Sequence, residues 1–171
     1  MSGTTWAKLG LVVIGRNEGE RLRRCFVSVR GIAHRVYVDS GSSDGSVEAA
    51  CAEGIEVVRL RSPPHFTAAR ARNAGLTRLL ELQPQLQFVQ MVDGDCEVQA
   101  GWIDTALQTL QADSRLALVF GRRRERHPEQ SVYNALCDDE WNVPVGRRPA
   151  AAAMRCFASR PCARSPSTTP R

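Results

Sequence analysis

The chain has 171 residues, of which 43% are hydrophobic, and this length suits one domain with a packed core. It has no apolar run of membrane-spanning length and no secretory leader pattern, so we expect a cytoplasmic protein. The net charge of +5 belongs to residues 147–171, which contain six Arg and no acidic residue. Residues 1–146 carry 17 basic and 18 acidic side chains, so composition does not indicate nucleic-acid binding.

The first predicted strand is Leu9–Ile14, a continuous apolar run rich in β-branched residues, which is typical of a buried strand. Asn17 follows it, and Glu20 lies three residues later, a spacing close to a capping box. We therefore expect Asn17 to cap a helix. The buried face of that helix is predicted from the spacing of Leu22, Cys25, Phe26 and Val29.

The second predicted strand, Val36–Val38, leads into a loop of small residues and then a helix that ends near Ala52. Asp39 stands at the carboxyl end of this strand, where its carboxylate can accept hydrogen bonds from a nucleobase or a ribose. We favour such a ligand role for Asp39. Ser43 or Asp44 can cap the helix, so a structural role for Asp44 is at least as well supported as contact with a ligand.

The third predicted strand is Glu56–Leu60, and Thr67 is the expected cap of the helix that follows. Arg70 and Arg72 lie near the beginning of this helix, where a cation is well placed to meet a phosphate group. The alternative is that both are surface arginines, and for Arg70 we prefer that interpretation.

The fourth predicted strand is a short, mostly apolar run from Phe88 that ends in Asp93-Gly94-Asp95. Two carboxylates separated by a glycine form a hard oxygen site, which suits Mg²⁺ or Mn²⁺ carrying a diphosphate. A solvated acidic turn is the alternative, because short motifs often match by chance. A helix from about Gly101 to Ala112 and a fifth strand at Leu116–Phe120 follow.

Strands that alternate with helices predict an α/β fold, a Rossmann-like and mostly parallel sheet with helices on both faces. In such a sheet the carboxyl ends of the strands meet at one edge, where ligands bind. We expect the polar residues after strands one, two and four to converge there. These residues are Asn17, Glu18, Asp39, Asp93 and Asp95.

Several segments resemble family 2 glycosyltransferases, the inverting nucleotide-sugar transferases with the A-type fold. The matching segments are Arg16-Asn17-Glu18, Val38-Asp39-Ser40-Gly41-Ser42-Ser43-Asp44-Gly45-Ser46, Ala71-Arg72-Asn73-Ala74-Gly75 and Asp93-Gly94-Asp95. They stand in the family's order and spacing within residues 9–121, and the serine-rich loop is the most specific of them.

The resemblance implies a nucleotide-sugar donor, an acceptor hydroxyl and a divalent cation, Mg²⁺ or Mn²⁺. Asp39 would hold the base beside the loop around Glu18, Asp93 would lie near the ribose, and Asp95 would bind the metal. Residues expected at the donor are Asn17, Glu18, Asp39, Asp44, Arg72 and Asp93. In such enzymes a carboxylate base deprotonates the acceptor for in-line displacement at the anomeric carbon.

The end of the chain departs from the family pattern, which places the acceptor site and the base after the fifth strand. Asp138, Asp139 and Glu140 are the remaining acidic cluster, and a solvated helix end is the more typical role for them. We expect a domain over residues 1–146, incomplete at its carboxyl end. No strand or helix is predicted in residues 147–171. We expect this segment to be disordered or to be translated from a shifted reading frame. The second possibility arises because a one-base shift in suitable codons for this segment gives a sequence that resembles the family.

Other interpretations remain at this point. One alternative is a non-catalytic nucleotide-binding fragment. Another, which we rank lower, is a phosphohydrolase with Asp93 as nucleophile and Asp95 as acid or base. The latter normally carries its motif on the first strand and needs a downstream Lys, whereas Lys8 is the only Lys. Residues 122–126 are typical of a solvated face, or would touch an anionic acceptor or a lipid phosphate at a membrane surface. We expect Trp102 to pack against the sheet rather than stack on a sugar.

Overall fold

The computed structural model describes residues 6–61, 65–142, 146 and, for the backbone, 155–158. The strands are β1 (Leu9–Gly15), β2 (His34–Asp39), β3 (Glu56–Arg59), β4 (Phe88–Asp93), β5 (Leu118–Phe120) and β6 (Arg155–Ala158). The helices are α1 (Glu20–Ser28), α2 (Ser46–Ala52), α3 (Ala68–Leu82), α4 (Trp102–Ala112) and α5 (Val132–Glu140), and a 3-10 turn at Pro128–Gln130 precedes α5.

The strands form one sheet in the order β3-β2-β1-β4-β6-β5. The first four strands of this order are mutually parallel, with Gly15 opposite Asp39 and Ile14 opposite Asp93. The carboxyl ends of β1, β2 and β4 are therefore level with one another. The predicted Rossmann-like, mostly parallel α/β fold is confirmed.

Helices cover both faces of the sheet because alternate residues of the central strands point to opposite sides. Leu11 and Val13 belong to a core cluster that includes buried residues of α1 and α4. Val12 and Val38 belong to a second cluster that includes Ala71 and Leu79 of α3. These two clusters fix the strands, and with them the loops at the carboxyl edge.

The far edge of the sheet differs from the sequence prediction. β6 lies between β4 and β5 and pairs antiparallel with both, so β5 contacts β4 only through β6. The prediction that residues 147–171 contain no strand is wrong for Arg155–Ala158. A strand this short, within a segment dominated by Arg, Pro and Ala, is specified by pairing with distant residues rather than by local pattern. The rest of that segment lies outside the described residues, and the boundary at residue 146 stays a prediction.

Two of the predicted helix caps have different outcomes. The prediction that Asn17 caps α1 is wrong, because α1 begins at Glu20 and its N-cap, Gly19, makes no side-chain capping bond. Asn17 instead has a φ of 56° and turns the chain toward the next loop. The Thr67 cap is confirmed, since its side chain accepts a hydrogen bond from the Arg70 backbone N–H. In the described part of the chain, no helix has the length and apolar character needed to cross a membrane.

Candidate donor and metal site

The order of the strands reverses between β1 and β4, and ligands of open α/β sheets bind in the crevice at such a point. A cavity of about 270 Å³ lies in this crevice, and we call it the switch-point cavity. Its charged lining residues are Arg16, Glu18, Asp93, Asp95 and Arg123. The sequence prediction that polar residues converge at this edge is therefore met by Glu18, Asp93 and Asp95.

Asp93 is held by an arginine from the neighbouring helix. The Nη2 atom of Arg72 on α3 donates to Asp93 Oδ1 at 2.7 Å, and the two side chains are 21% and 26% exposed. Arg72 thus contacts a residue of the cavity lining and fixes the direction of one Asp93 oxygen. The other carboxylate oxygen of Asp93 has no partner among the described residues.

The turn after β4 is anchored to β1, and this anchoring leaves Asp95 facing outward. The Gly94 N–H donates to the Ile14 carbonyl at 2.7 Å, and Cys96 N–H donates to the Asp93 carbonyl at 2.9 Å. A Cβ at Gly94 would lie 3.1 Å from Leu22 Cδ1 and 3.2 Å from the Ile14 oxygen. Glycine therefore allows the close approach, and Asp95 remains exposed at the mouth of the cavity.

Burial keeps the two cysteines near this turn uncharged. Desolvation is the main cause that raises the pKa of the Cys25 thiol, and the neighbouring Cys96 and carboxylates add to the rise. Desolvation also raises the pKa of Cys96 to about 12, with Asp95 as the next cause. The oxygen atoms of Asp93 and Asp95 are the hard ligands that this turn offers.

A second, larger cavity of about 750 Å³ lies beside the ends of β2 and β3, and we call it the loop cavity. It is lined by Asp39, by the serine-rich loop as far as Ser46, and by Arg59 and Arg61. Its volume lies within the range of small-ligand pockets. Successive residues after β2 line the two cavities, Asp39 the loop cavity and Ser40 the switch-point cavity.

Asp39 organises the loop that forms this cavity. Its side chain is buried, 3% exposed, and accepts hydrogen bonds from the Gly41 and Ser42 backbone N–H groups at 3.1 Å. The Tyr37 hydroxyl also approaches Asp39 Oδ1 at 3.4 Å. The carboxylate predicted to contact a base is thus engaged by its own loop, although Asp39 still lines the cavity.

Asn17 and Asp44 join the loops after β1 and β2. The Asn17 N–H donates to Ser42 Oγ at 2.9 Å, and the Ser43 N–H donates to the Asn17 side-chain oxygen at 2.8 Å. The Gly19 N–H donates to Asp44 Oδ2 at 2.9 Å. These bonds make the two loops one unit, which is a structural role for both predicted donor-binding residues.

The candidates for a catalytic base are not brought to either cavity. Asp138 accepts from Arg122 Nη2 at 2.9 Å and from the Glu125 N–H at 2.9 Å. Asp139 and Glu140 are exposed on α5. None of the three lines the switch-point cavity or the loop cavity, so their suggested catalytic role gains no support.

Comparison with known proteins decides the family. The sequence profile described as glycosyl transferase family 2 matches residues 11–152. This range covers the four parallel strands except for Leu9 and Gly10 of β1, and it includes the loops after β1 and β2. The chain belongs to glycosyl transferase family 2. A search of curated protein sequences gave no significant match.

Solved structures share the fold of this family 2 chain. A mannosyltransferase from Pyrobaculum calidifontis, in complex with GDP-Man and Mn²⁺, has a TM-score of 0.59 and 19% identity, covering 88% of this chain and 44% of that one. Glucosyl-3-phosphoglycerate synthase from Mycobacterium tuberculosis, in complex with UDP, has a TM-score of 0.58 and 20% identity, covering 91% and 58%. The chain therefore spans about half the length of these two neighbours.

The carboxylates of this family 2 chain fit a divalent cation whose remaining ligands come from a substrate phosphate. Among the described residues, no group of three or more His, Cys, Asp or Glu side chains could enclose a metal ion. Mg²⁺ is usually held by one or two carboxylates together with substrate phosphates, and Asp95 with the second oxygen of Asp93 meets that requirement. Asp95, exposed at this cavity, could supply such a carboxylate ligand.

Sequence reasoning did not assign a site role to either of two arginines that line the switch-point cavity, although both stood in segments it had noted. Arg16 precedes the motif residues Asn17 and Glu18, and Arg123 lies in the basic run after β5. Each lies against an aromatic ring, Arg16 at 5.6 Å from the centre of Phe66 and Arg123 at 3.8 Å from the centre of Trp141. The basic run was visible in the sequence, but nothing local distinguished Arg123 from its neighbours.

Proposed function

We propose that the chain binds a nucleotide-diphosphate sugar across the two cavities and transfers the sugar to an acceptor hydroxyl with inversion. Membership of family 2 supports glycosyl transfer in general. Metal dependence is inferred from Asp95, which lies at the strand-order reversal. Its carboxylate is exposed and forms no ion pair in the described part of the chain. The proposal includes Mg²⁺ or Mn²⁺ as the cation and the cytoplasm as the location.

The division of the site follows the volumes and chemistry of the two cavities. The loop cavity, at about 750 Å³, has room for the nucleoside, and Asp39, Asp44 and Asn17 shape its loop. The switch-point cavity, at about 270 Å³, suits the diphosphate, with Arg72 and Glu18 near it. A divalent cation bound at Asp95 would supply positive charge that stabilises the leaving diphosphate.

The neighbours with the same fold support this choice of ligands. One was solved in complex with GDP-Man and Mn²⁺, and another in complex with Mn²⁺, UDP-glucose and glycerol 3-phosphate. Both complexes contain a nucleotide sugar and Mn²⁺. The base and the sugar differ between them, so the proposal for this chain names the class of donor and leaves both open.

Inverting transfer makes one further demand on the site. The acceptor oxygen attacks the anomeric carbon opposite the diphosphate, the carbon–oxygen bond to the diphosphate breaks, and a carboxylate base receives the acceptor proton. Asp138, Asp139 and Glu140 do not line the cavities, which favours a second candidate function, a donor-binding unit without turnover. The two functions differ only in transfer, because both require binding of the donor.

Calorimetric titration of the purified chain with UDP and GDP, with and without Mn²⁺, tests the proposal. We expect one of the two nucleotides to bind, and to bind more tightly with Mn²⁺. A folded chain that binds neither nucleotide would exclude a uridine or guanosine donor and would favour a degenerate fragment or another ligand. Given binding, incubation with the matching nucleotide sugar and candidate acceptors, followed by NMR of the anomeric centre, separates an inverting transferase from a unit that only binds.

A further inference from the structure

The switch-point cavity contains two guanidinium groups in similar surroundings. Arg16 lies over Phe66 and Arg123 lies over Trp141, each within the range of about 6 Å at which a cation is attracted to a ring face. The two come from distant parts of the chain, the loop after β1 and the segment after β5. We call them the stacked arginine pair.

The charges around the cavity leave this pair without carboxylate partners. Of the acidic residues that line it, Glu18 pairs with Arg21 at 2.8 Å and Asp93 pairs with Arg72 at 2.7 Å. Both of those arginines lie outside the lining set. Neither Arg16 nor Arg123 forms an ion pair or donates a hydrogen bond to a residue in the described ranges 6–61 and 65–142.

Two other arginines in the segment that contains Arg123 form ion pairs with carboxylates. Arg122 pairs with Asp138 at 2.9 Å, and Arg126 pairs with Glu97. Arg123 alone among these three is directed onto an indole ring beside the cavity. The four arginines of the basic run, predicted as a solvated face or as a contact for an anion, thus differ. Two of them form ion pairs, Arg123 lines the cavity, and Arg124 is exposed.

A cation–π contact leaves the N–H donors of a guanidinium group available to an anion. Those donors form a planar fork that matches pairs of phosphate oxygens. The cavity offers the N–H donors of these two groups beside the carboxylate of Asp95, whose Oδ1 accepts a hydrogen bond from Cys96 Sγ at 3.3 Å. Its chemistry therefore suits a ligand with several anionic oxygens that also shares a metal ion.

We propose that the stacked arginine pair of Arg16 and Arg123 binds phosphate oxygens of the substrate in the switch-point cavity. This inference rests on the proposed function, because it assigns the diphosphate end of the same site. A phosphate carried by an acceptor has the same chemistry as the donor diphosphate. The position of Asp95 in the same cavity favours the donor as the source.

The test compares affinities of the wild-type chain with those of Arg16→Ala, Arg123→Ala and Arg123→Lys. Matched controls are Arg23→Ala and Arg124→Ala, exposed arginines that do not line the cavity. The probes are UDP and GDP with Mn²⁺, the corresponding nucleosides, and inorganic phosphate as a stand-in for a phosphorylated acceptor. Thermal unfolding of every variant confirms that the chain is folded at the titration temperature.

We expect each alanine variant to weaken diphosphate binding by roughly 10-fold to 100-fold, the size typical of hydrogen bonds to charged groups. Nucleoside affinity and both controls should stay at wild-type values. Arg123→Lys should recover only part of the loss, because an ammonium group does not reproduce the planar fork. Trp141→Leu should also weaken diphosphate binding while Arg123 is still present.

The outcomes separate this inference from the proposed function. If wild type binds UDP or GDP and both alanine variants bind it equally well, the donor assignment of the pair is wrong. If those variants lose only the affinity for inorganic phosphate, the pair serves an acceptor phosphate. Unchanged affinity for both probes overturns the inference and leaves the donor site intact. Absence of nucleotide binding by wild type would instead contradict the proposed function.

Discussion

Arg72 on α3 and Asp93 at the end of β4 form an ion pair of 2.7 Å across the strand-order reversal. Their side chains are only 21% and 26% exposed, so water screens the pair less than it would an ordinary surface pair. The pair joins the helix on one face of the sheet to the acidic turn. It therefore links the packing of α3 to the direction of a carboxylate in the cavity.

A double-mutant cycle measures this link. Arg72→Ala, Asp93→Ala and the double variant should show a coupling free energy of unfolding of about 1 kcal/mol, which falls as salt is added. Nucleotide affinity should fall in Arg72→Ala because Asp93 loses its fixed direction. Denaturant unfolding gives the stability cycle and calorimetry gives the affinity. Additive stability effects, with no coupling at low salt, would mean that the ion pair does not form.

Asp95 should account for the dependence of nucleotide binding on metal. In Asp95→Asn we expect the affinity for UDP or GDP with Mn²⁺ to fall to about the metal-free value, because an amide is a weaker ligand for a hard cation. Stability should change by less than about 0.5 kcal/mol, since the side chain is exposed. Glu129→Gln, an exposed acidic residue away from the cavities, is the matched control. If Asp95→Asn keeps the full effect of Mn²⁺ on affinity, the metal binds at another residue.

The parallel part of the fold was predictable because its strands are buried on both faces. Leu9–Ile14 and the run from Phe88 are continuous apolar segments, and such runs occur where helices cover both sides of a sheet. β6 could not be predicted in the same way. Arg155–Ala158 pairs with β4 and β5 across a long sequence separation, and its own composition carries no strand pattern.

The position of the candidate site was predictable, whereas the partners of its residues were not. Carboxyl ends of parallel strands meet at one edge, which placed Asp39, Asp93 and Asp95 near one another. The loop contacts that occupy Asp39 and Asn17 depend on backbone conformation, including the positive φ of Asn17. The role suggested for Arg123 depends on which arginines lack a carboxylate, and only the folded chain shows this.

Asp44 should make stability depend on pH in the acidic range. Its pKa is lowered mainly because the Ser46 hydroxyl donates to the carboxylate at 2.6 Å, and the Ser46 and Gly19 N–H groups lower it further. A carboxyl group whose pKa is lower in the folded state stabilises that state above its unfolded pKa of about 3.9. This contribution is lost as the pH falls through the folded pKa.

Comparison of wild type with Asp44→Asn isolates that contribution. The wild type should be more stable near pH 7, and the difference in the free energy of unfolding should shrink as the pH falls below about 4. Urea unfolding at a series of pH values checks this. Glu129→Gln should show a small difference at every pH, because Glu129 is exposed and its ion pair with His127 lies at the surface. A difference for Asp44→Asn that does not vary with pH would contradict the assignment.

Trp102 should act through packing and hydrogen bonding rather than through a sugar. Its indole N–H donates at 3.0 Å to the side-chain oxygen of Gln90, which is fully buried on β4. Trp102→Phe leaves that oxygen without its donor and should cost about 1–3 kcal/mol of stability. Affinities for UDP-glucose and GDP-mannose, measured by calorimetry, should not change. Weaker sugar-nucleotide binding at unchanged stability would instead indicate sugar stacking.

Gly75 should be required for the contact of α3 with the sheet. A Cβ at this position would lie 2.8 Å from Val38 Cγ2 and would also overlap Val12. Because strands β1 and β2 are fixed on both faces, Gly75→Ala should lower the free energy of unfolding by about 1–3 kcal/mol. Asn73→Ala, at an exposed position of the same helix, should change it by less than about 0.5 kcal/mol. If the two variants are equally stable in denaturant titrations, α3 can move away from the sheet to make room for the methyl group. The Arg72–Asp93 ion pair would then have to persist after that movement.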